Sequence, residues 1–368
     1  MKKAITLFLA IALVFSLAAC GSAKQEPAPT SAPAPAPAAE PQKEETPAKA
    51  EEPAEAAEPN PFTESYTWAL STTYATGTPV SDAAVLFGEK LAEYSNGTIT
   101  LNVFADGSFA GERESFLAIN ANELEFAAFG PTPITAYTPE YGYILAPFLL
   151  QSWEEYQTVF NSDVFQEAKR IWREEYNVRD VAGLAFRGWR HLSSTNPINT
   201  IEDLRGVKLR LPDNALWVAA WKALGATPVT IALGELYTAL QTGAATASDG
   251  PWEQMASIHL NEVQDYVIET NHYPEVAGLW MNETLYQSLS DEYKAVVDKA
   301  GAEAMAYMHE ECAKRDNAYL QQLLDGGCEL IKMDTDGLLG VLQPVYDEYF
   351  TKEWTVTTQE ELFALLGR

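Results

Sequence analysis

Histidine and cysteine are scarce in this chain, with four and three among 368 residues. His191, His259, His272 and His309 are scattered without metal-ligand spacing, so neither a metal nor another cofactor is expected. No G-x-S-x-G, H-E-x-x-H, C-x-x-C, phosphate-loop or G-x-G-x-x-G pattern occurs, and the usual hydrolase, redox and nucleotide chemistries lack their groups. Positive charge is also short: 24 Lys and Arg stand against 52 Asp and Glu, a formal net charge of −28. A balance this acidic excludes a nucleic-acid partner, which demands a basic face. It also repels anions from most of the surface, which leaves an arginine-lined cleft as the place for one. The apolar run from Ala4 to Ala19 is too short for a comfortable membrane span. Cys312 lies about halfway along a continuous helical pattern, Asp291 to Asp325, and Cys328 just beyond it. A straight helix keeps them ~20 Å apart, past the reach of a disulfide, so both are expected to be free thiols.

What is present divides the chain into three parts. Lys2 and Lys3 precede the apolar run, which ends Leu17-Ala18-Ala19-Cys20-Gly21. Residues 1–19 read as a secretion signal, and the ending resembles a bacterial lipobox. That resemblance implies cleavage before Cys20 and acylation of its thiol, giving a lipid-anchored, extracytoplasmic protein. Residues 20–61 follow as a Pro/Ala/Glu tether, with ten of the 21 prolines between Pro27 and Pro61. Such a composition cannot bury enough to offset its ordering entropy, so an extended segment is expected. The chain becomes globular from Phe62.

Strand and helix patterns then alternate: Tyr66 to Thr73, Pro79 to Tyr94, Thr98 to Phe104, a helix around Glu112 to Ile119, and Leu124 to Phe129. This argues for an α/β fold. Asp291 to Asp325 is longer than one domain is wide, and its apolar positions lack a sustained heptad. Cys328 to Met333 reads as a strand. Helices are expected from about Asp336 to Phe350 and from Thr358 to Leu366.

The densest chemistry lies between Arg187 and Trp252. Thr200 starts a short helical turn, Ile201 to Leu204, and Val207 to Leu211 alternates as a strand stopped by Pro212. Arg210 sits on that strand, where its planar fork can be held to meet a carboxylate bidentately. Pairing with a neighbouring acid on the surface is the competing role. Trp189 and Trp252 flank the arginines and are candidates to line a cleft, while Trp217 and Trp221, at i and i+4, have core spacing.

The motifs Lys208-Leu209-Arg210-Leu211-Pro212, Gly225-Ala226-Thr227-Pro228 and Glu235 to Gly243 (E-L-Y-T-A-L-Q-T-G) stand in order here. Asn96-Gly97-Thr98-Ile99, Gly107 to Glu114 and Ala146-Pro147-Phe148 precede them. Together they resemble the solute-binding proteins of tripartite ATP-independent periplasmic (TRAP) transporters, of the C4-dicarboxylate-binding type. The resemblance covers residues 62–368 and implies a two-domain periplasmic-binding-protein-like α/β fold, with the long helix bracing both domains. Residues 62–187 and 276–315 would form domain I, and 188–275 and 316–368 domain II. It implies that Arg210 holds a substrate carboxylate and that Arg190 assists. The loops after the first and third strands would approach ligand with Thr73, Tyr74, Gly130, Pro131 and Thr132. Leu233, Asp249, Gly250 and Trp252 complete the expected contacts. The loop Asp249-Gly250-Pro251 departs from the usual pattern: Gly250 replaces an asparagine that often touches ligand, and a glutamate occupies the Gly130 position in some members.

The expected function is capture of a small organic acid and its delivery to small and large membrane subunits by a monomer. A secreted enzyme acting on carbohydrates or acids, or a ligand-sensing partner of a membrane receptor, are the alternatives. Pairs such as Glu154-Glu155 and Glu174-Glu175 look like solvated helix faces rather than an acid and a base.

Overall fold

The computed structural model describes residues 60–368; the expected signal peptide, Cys20 and nearly all of the tether lie outside the described residues. Nine strands form one sheet: β1 (Tyr66–Thr72), β2 (Ile99–Phe104), β3 (Phe126–Phe129), β4 (Val178–Ser194), β5 (Lys208–Leu211), β6 (Thr227–Thr230), β7 (Ala247–Gly250), β8 (Tyr266–Asn282) and β9 (Glu329–Lys332). Their order is β2-β1-β3-β8-β4-β7-β5-β6, with β9 on β8. The order repeats itself in the two halves. β2-β1-β3 is a parallel trio whose third strand pairs antiparallel with β8. β6-β5-β7 is a second parallel trio, whose third strand pairs antiparallel with β4. Each trio and its helices form one domain of the expected two-domain α/β fold.

β4 and β8, 17 residues each, pair with one another and run through both halves. Neither was expected from the sequence. Period-two alternation is broken in β4 by register shifts at Asp180/Leu184, Phe186/Gly188 and Arg190/Leu192, and β8 is buried along most of its length. A strand covered on both faces reads as a continuous apolar run, and in β8 Glu269-Thr270-Asn271-His272 and Pro274-Glu275 interrupt it.

The helices follow local rules closely. Pro79–Tyr94 opens with proline in its first turn, where the missing N–H costs nothing. Asp291–Asp325 is a single helix, capped where the Ser290 side chain accepts from the Tyr293 amide. It packs against Pro79–Tyr94 in one half and against Trp252–Ser257 in the other, so it braces both domains. Its Tyr293, Val297, Ala304 and Met308 join a core with Trp68, Phe87 and Leu91, and Leu323 joins a separate core with Leu236 and Met255. Cys312 and Cys328 are both buried and both free.

Gly301 marks where the long helix crosses β4. A Cβ placed there would stand 2.5 Å from Cγ1 of Val181, a stiff β-branched side chain. Gly301→Ala gains up to ~1 kcal/mol of helix propensity but overpacks at a cost of ~1–3 kcal/mol. Urea denaturation should show a net loss, partly recovered in Gly301→Ala/Val181→Ala. A simple gain in stability would mean that the helix is free to move off β4.

Candidate functional site

The carboxyl ends of β1, β3 and β5 converge on one cavity of about 490 Å³. Ligand sites in α/β sheets form beyond the carboxyl ends of parallel strands, where side chains can point inward from several loops. Thr73 and Tyr74 follow β1, and Gly130 and Thr132 follow β3. Arg210 ends β5 from within, and all five line the cavity together with Arg190 and Leu233. Four other expected residues, Pro131, Asp249, Gly250 and Trp252, lie off its wall.

Arg210 is held from two sides. β5 sits between β6 and β7, with Arg210 opposite Val229 and Ser248. Its Nε donates to the Ile231 carbonyl at 2.8 Å, which orients the fork and leaves both Nη groups without a protein acceptor among the described residues. The side chain is 2 % exposed, and burial lowers its pKa to about 10, offset only in part by Asp249 and Glu112. It therefore stays protonated at neutral pH as a buried cation with no carboxylate in contact.

The other cavity arginines are already matched. Arg190 donates through Nε to Asp249 at 2.8 Å and through Nη1 to Glu275 at 2.5 Å, with its guanidinium over the Trp217 ring. Arg187 pairs with Glu253, approaches Glu275 at 3.8 Å and covers the Tyr74 ring. Arg113 meets Asp213 at 3.5 Å, an exposed pair that spans the mouth between the two halves. Arg187 and Arg190 reach the same glutamate because Arg187 is the extra residue of a bulge. Strict alternation would put residues three apart on opposite faces. Gly188 accommodates the bulge at φ +109°, a conformation that other residues rarely adopt.

Asp249 and Trp252 sit behind this wall. Burial by itself pushes the Asp249 carboxyl up, but Arg190 and His272 outweigh it and hold the carboxyl below the usual carboxylate range. Trp252 stacks on His191 at 3.8 Å. Burial keeps that imidazole well below its ordinary pKa, and its Nδ1 accepts from the Thr270 amide. Gly250 leaves room that another side chain takes. A Cβ on it would lie 2.4 Å from the Gln254 Nε2, and Gln254 lines the cavity. At Gly130 a Cβ would stand 3.0 Å from the Val276 carbonyl and 3.5 Å from Glu275, so that space is taken too.

Sequence reasoning missed Arg187, Glu112, Glu275, Gln254, Tyr137 and Trp217 as wall residues. Trp217 had only its core spacing, which it also honours: it is 2 % exposed, and its indole N–H donates to the Leu145 carbonyl. Trp189, the other tryptophan considered, is off the wall.

Residues 70–353 match the family described as bacterial extracellular solute-binding protein, family 7. The chain belongs to this family. Family members are TRAP solute-binding proteins, extracytoplasmic components of transport systems rather than enzymes. A solute-binding protein of Roseobacter denitrificans is 31% identical over 242 residues, 65% of this chain and 74% of that one. The C4-dicarboxylate-binding periplasmic protein of Rhodobacter capsulatus is 26% identical, covering 74% and 82%. Among solved structures, a TRAP periplasmic protein of Roseobacter denitrificans with bound β-D-glucuronate superposes with TM-score 0.76 at 25% identity, covering 81% of this chain and 98% of that one. The sugar acid binding protein of Advenella mimigardefordensis, in complex with galactonate, gives 0.78 at 20% identity, covering 83% and 99%; at that identity the likeness concerns the fold. No described helix is long and apolar enough to cross a membrane.

Asp249→Asn tests the role of the residue behind the wall. It leaves Arg190 with half its compensation and should cost ~3–5 kcal/mol of stability. A carboxyl whose folded pKa is depressed contributes stability above its unfolded pKa, near 4, and loses that contribution as pH falls further. The variant should therefore melt lower at pH 7 and show a shallower loss on acidification below about pH 4. Equal melting temperatures at pH 7 would mean that Asp249 is not the counter-ion of Arg190.

Proposed function

We propose that this TRAP solute-binding protein captures a small organic acid in the cavity, its carboxylate received by the free Nη groups of Arg210, and releases it unchanged to the small and large membrane subunits. One observation carries this reading. Among the described residues, Arg210 is the only cavity-lining arginine without a carboxylate partner. A buried cation left in this state is costly, and an incoming carboxylate relieves it with charge-assisted hydrogen bonds worth ~1.5–3 kcal/mol each. Arg190, with both sides of its fork committed, contributes by shaping the wall and by its field rather than as a second clamp. Residues 62–187 with 276–315, and 188–275 with 316–368, are the two domains that close around the ligand. Closure excludes water and strengthens every charged contact inside. Thr73, Tyr74, Gly130, Thr132 and Leu233 complete the binding wall in this reading, while Pro131, Asp249, Gly250 and Trp252 support it. The protein acts as a monomer and has no cofactor. An acylated Cys20 holds it at the membrane by the tether.

Arg210→Ala should weaken binding by ~2–5 kcal/mol, thirtyfold to several thousandfold, with the fold intact. Arg210→Lys keeps the charge without the fork and should recover part of that loss. Arg190→Ala should principally lower the melting temperature, since it leaves Asp249 without its arginine and Glu275 with only the longer contact to Arg187. Calorimetric titration with whichever acid most raises the melting temperature in a screen reads these differences. Near-native affinity in Arg210→Ala would refute the clamp.

Anchoring has its own test. Cys20→Ser should abolish incorporation of labelled palmitate in growing cells; labelled mutant protein would rule out the lipid anchor.

A further inference from the structure

A second unpaired charge faces the same cavity. Glu112 opens the helix Glu112–Asn120 and lines the wall opposite β5. No cation stands within ion-pair distance of it among the described residues; the Thr73 hydroxyl donates to it at 3.4 Å, and the Tyr74 hydroxyl also stands close. Burial raises its pKa, and the charge of Glu275 adds to this. Arg187 and the hydroxyls of Tyr74 and Thr73 offset only part of the rise. Glu112 and Arg210 are close enough to act on each other electrostatically, yet they make no salt bridge.

Resting on the carboxylate reading above, we propose that Glu112 is the second recognition group of the site and selects monocarboxylates that carry a hydrogen-bond donor, hydroxyl or ammonium, at the end away from the carboxylate. Charge accounting over the wall leads there. Arg187, Arg190 and Arg210 face Asp249, Glu253, Glu275 and Glu112, while Arg113 and Asp213 cancel at the mouth and the exposed Glu114 adds one more carboxylate with no cation partner among the described residues. One ligand carboxylate on Arg210 matches the last free guanidinium. A second carboxylate would find no unmatched cation and would be pressed against Glu112 in a closed, poorly screened space. An ionised carboxylate only accepts hydrogen bonds, so the partner that completes Glu112 must donate. A C4-dicarboxylate therefore fits this wall poorly. A cavity of about 490 Å³ also has room for an acid larger than four carbons. Tyr137 on its wall is a partly buried ring against which the C–H surface of such a molecule can rest.

The experiment titrates ligand-stripped protein with six acids: D-galactonate and D-glucuronate, which carry hydroxyls; 4-aminobutanoate, which carries an ammonium; hexanoate, which has no donor; and succinate and galactarate, which carry a second carboxylate. At least one donor-bearing monocarboxylate should bind ten times or more tighter than the other three acids, and the tighter of the two donor types identifies the group that Glu112 meets. Glu112→Gln keeps the shape and removes the charge. It should weaken that acid about ten- to a hundredfold and narrow its margin over galactarate. A residue that only supported the fold would lower affinity for all six alike. Three outcomes overturn the proposal: equal or tighter binding of succinate, galactarate or hexanoate; an unchanged margin in Glu112→Gln; or no binding by any of the six. Arg210→Ala, run in parallel, separates the two claims. If it retains affinity while Glu112→Gln loses it, the carboxylate clamp fails and the role of Glu112 stands.

Discussion

Taking a guanidinium out of water costs several kcal/mol unless an anion meets it, and three of them are buried on the neighbouring strands β4 and β5, which β7 joins. Glu275 on β8 holds Arg187 and Arg190 at once, Glu253 closes the first pair and Asp249 the second. Around this knot the two halves of the molecule are joined: Arg187 covers Tyr74, which follows β1 of the first domain, while Glu253 and Asp249 belong to the second. The pairing register of β4 and β8, with Gly188 opposite Glu275, is what brings the charges into contact. Loss of any member strands another charge in the interior, which makes the knot a structural unit before it is a binding one.

The cavity inherits its chemistry from that arrangement. Two arginines are spent on the framework and one is not. Arg210 differs from its neighbours in having only a backbone carbonyl to turn towards. The carbonyl fixes its direction without neutralising it. On the other wall Glu112 is in the complementary condition, turned to the cavity with hydroxyls but no cation. A ligand thus enters a space whose framework charges are settled and whose two unsettled ones, Arg210 and Glu112, are of opposite sign, the exposed Glu114 aside. This polarity is invisible in a net charge of −28, which describes the surface field and not the cavity.

Much of the first domain was legible because its signals are local. The helix Pro79–Tyr94 has proline at its start and Asn96-Gly97 after its end, both at positive φ. The long helix runs over the residues its pattern marks, Asp291–Asp325, because nothing in it breaks the hydrogen-bond ladder. The free state of Cys312 and Cys328 follows from that same length. Arg210 on a strand ended by proline was legible too, since five residues of alternation suffice to place it.

Pairing across 59 to 85 residues of sequence was not. Arg190 with Asp249 and with Glu275 and Arg187 with Glu253 depend on register and on one bulge, and a single-residue slip would turn the strand side chains to the other face. The sequence by itself determined the elements of the first domain's start, the long helix, the acidic surface and the presence of an arginine held on β5, because these rest on propensity, composition and short-range spacing. Only the tertiary structure decided which arginine is left unpaired, since that is settled by which acids the sheet delivers to the others.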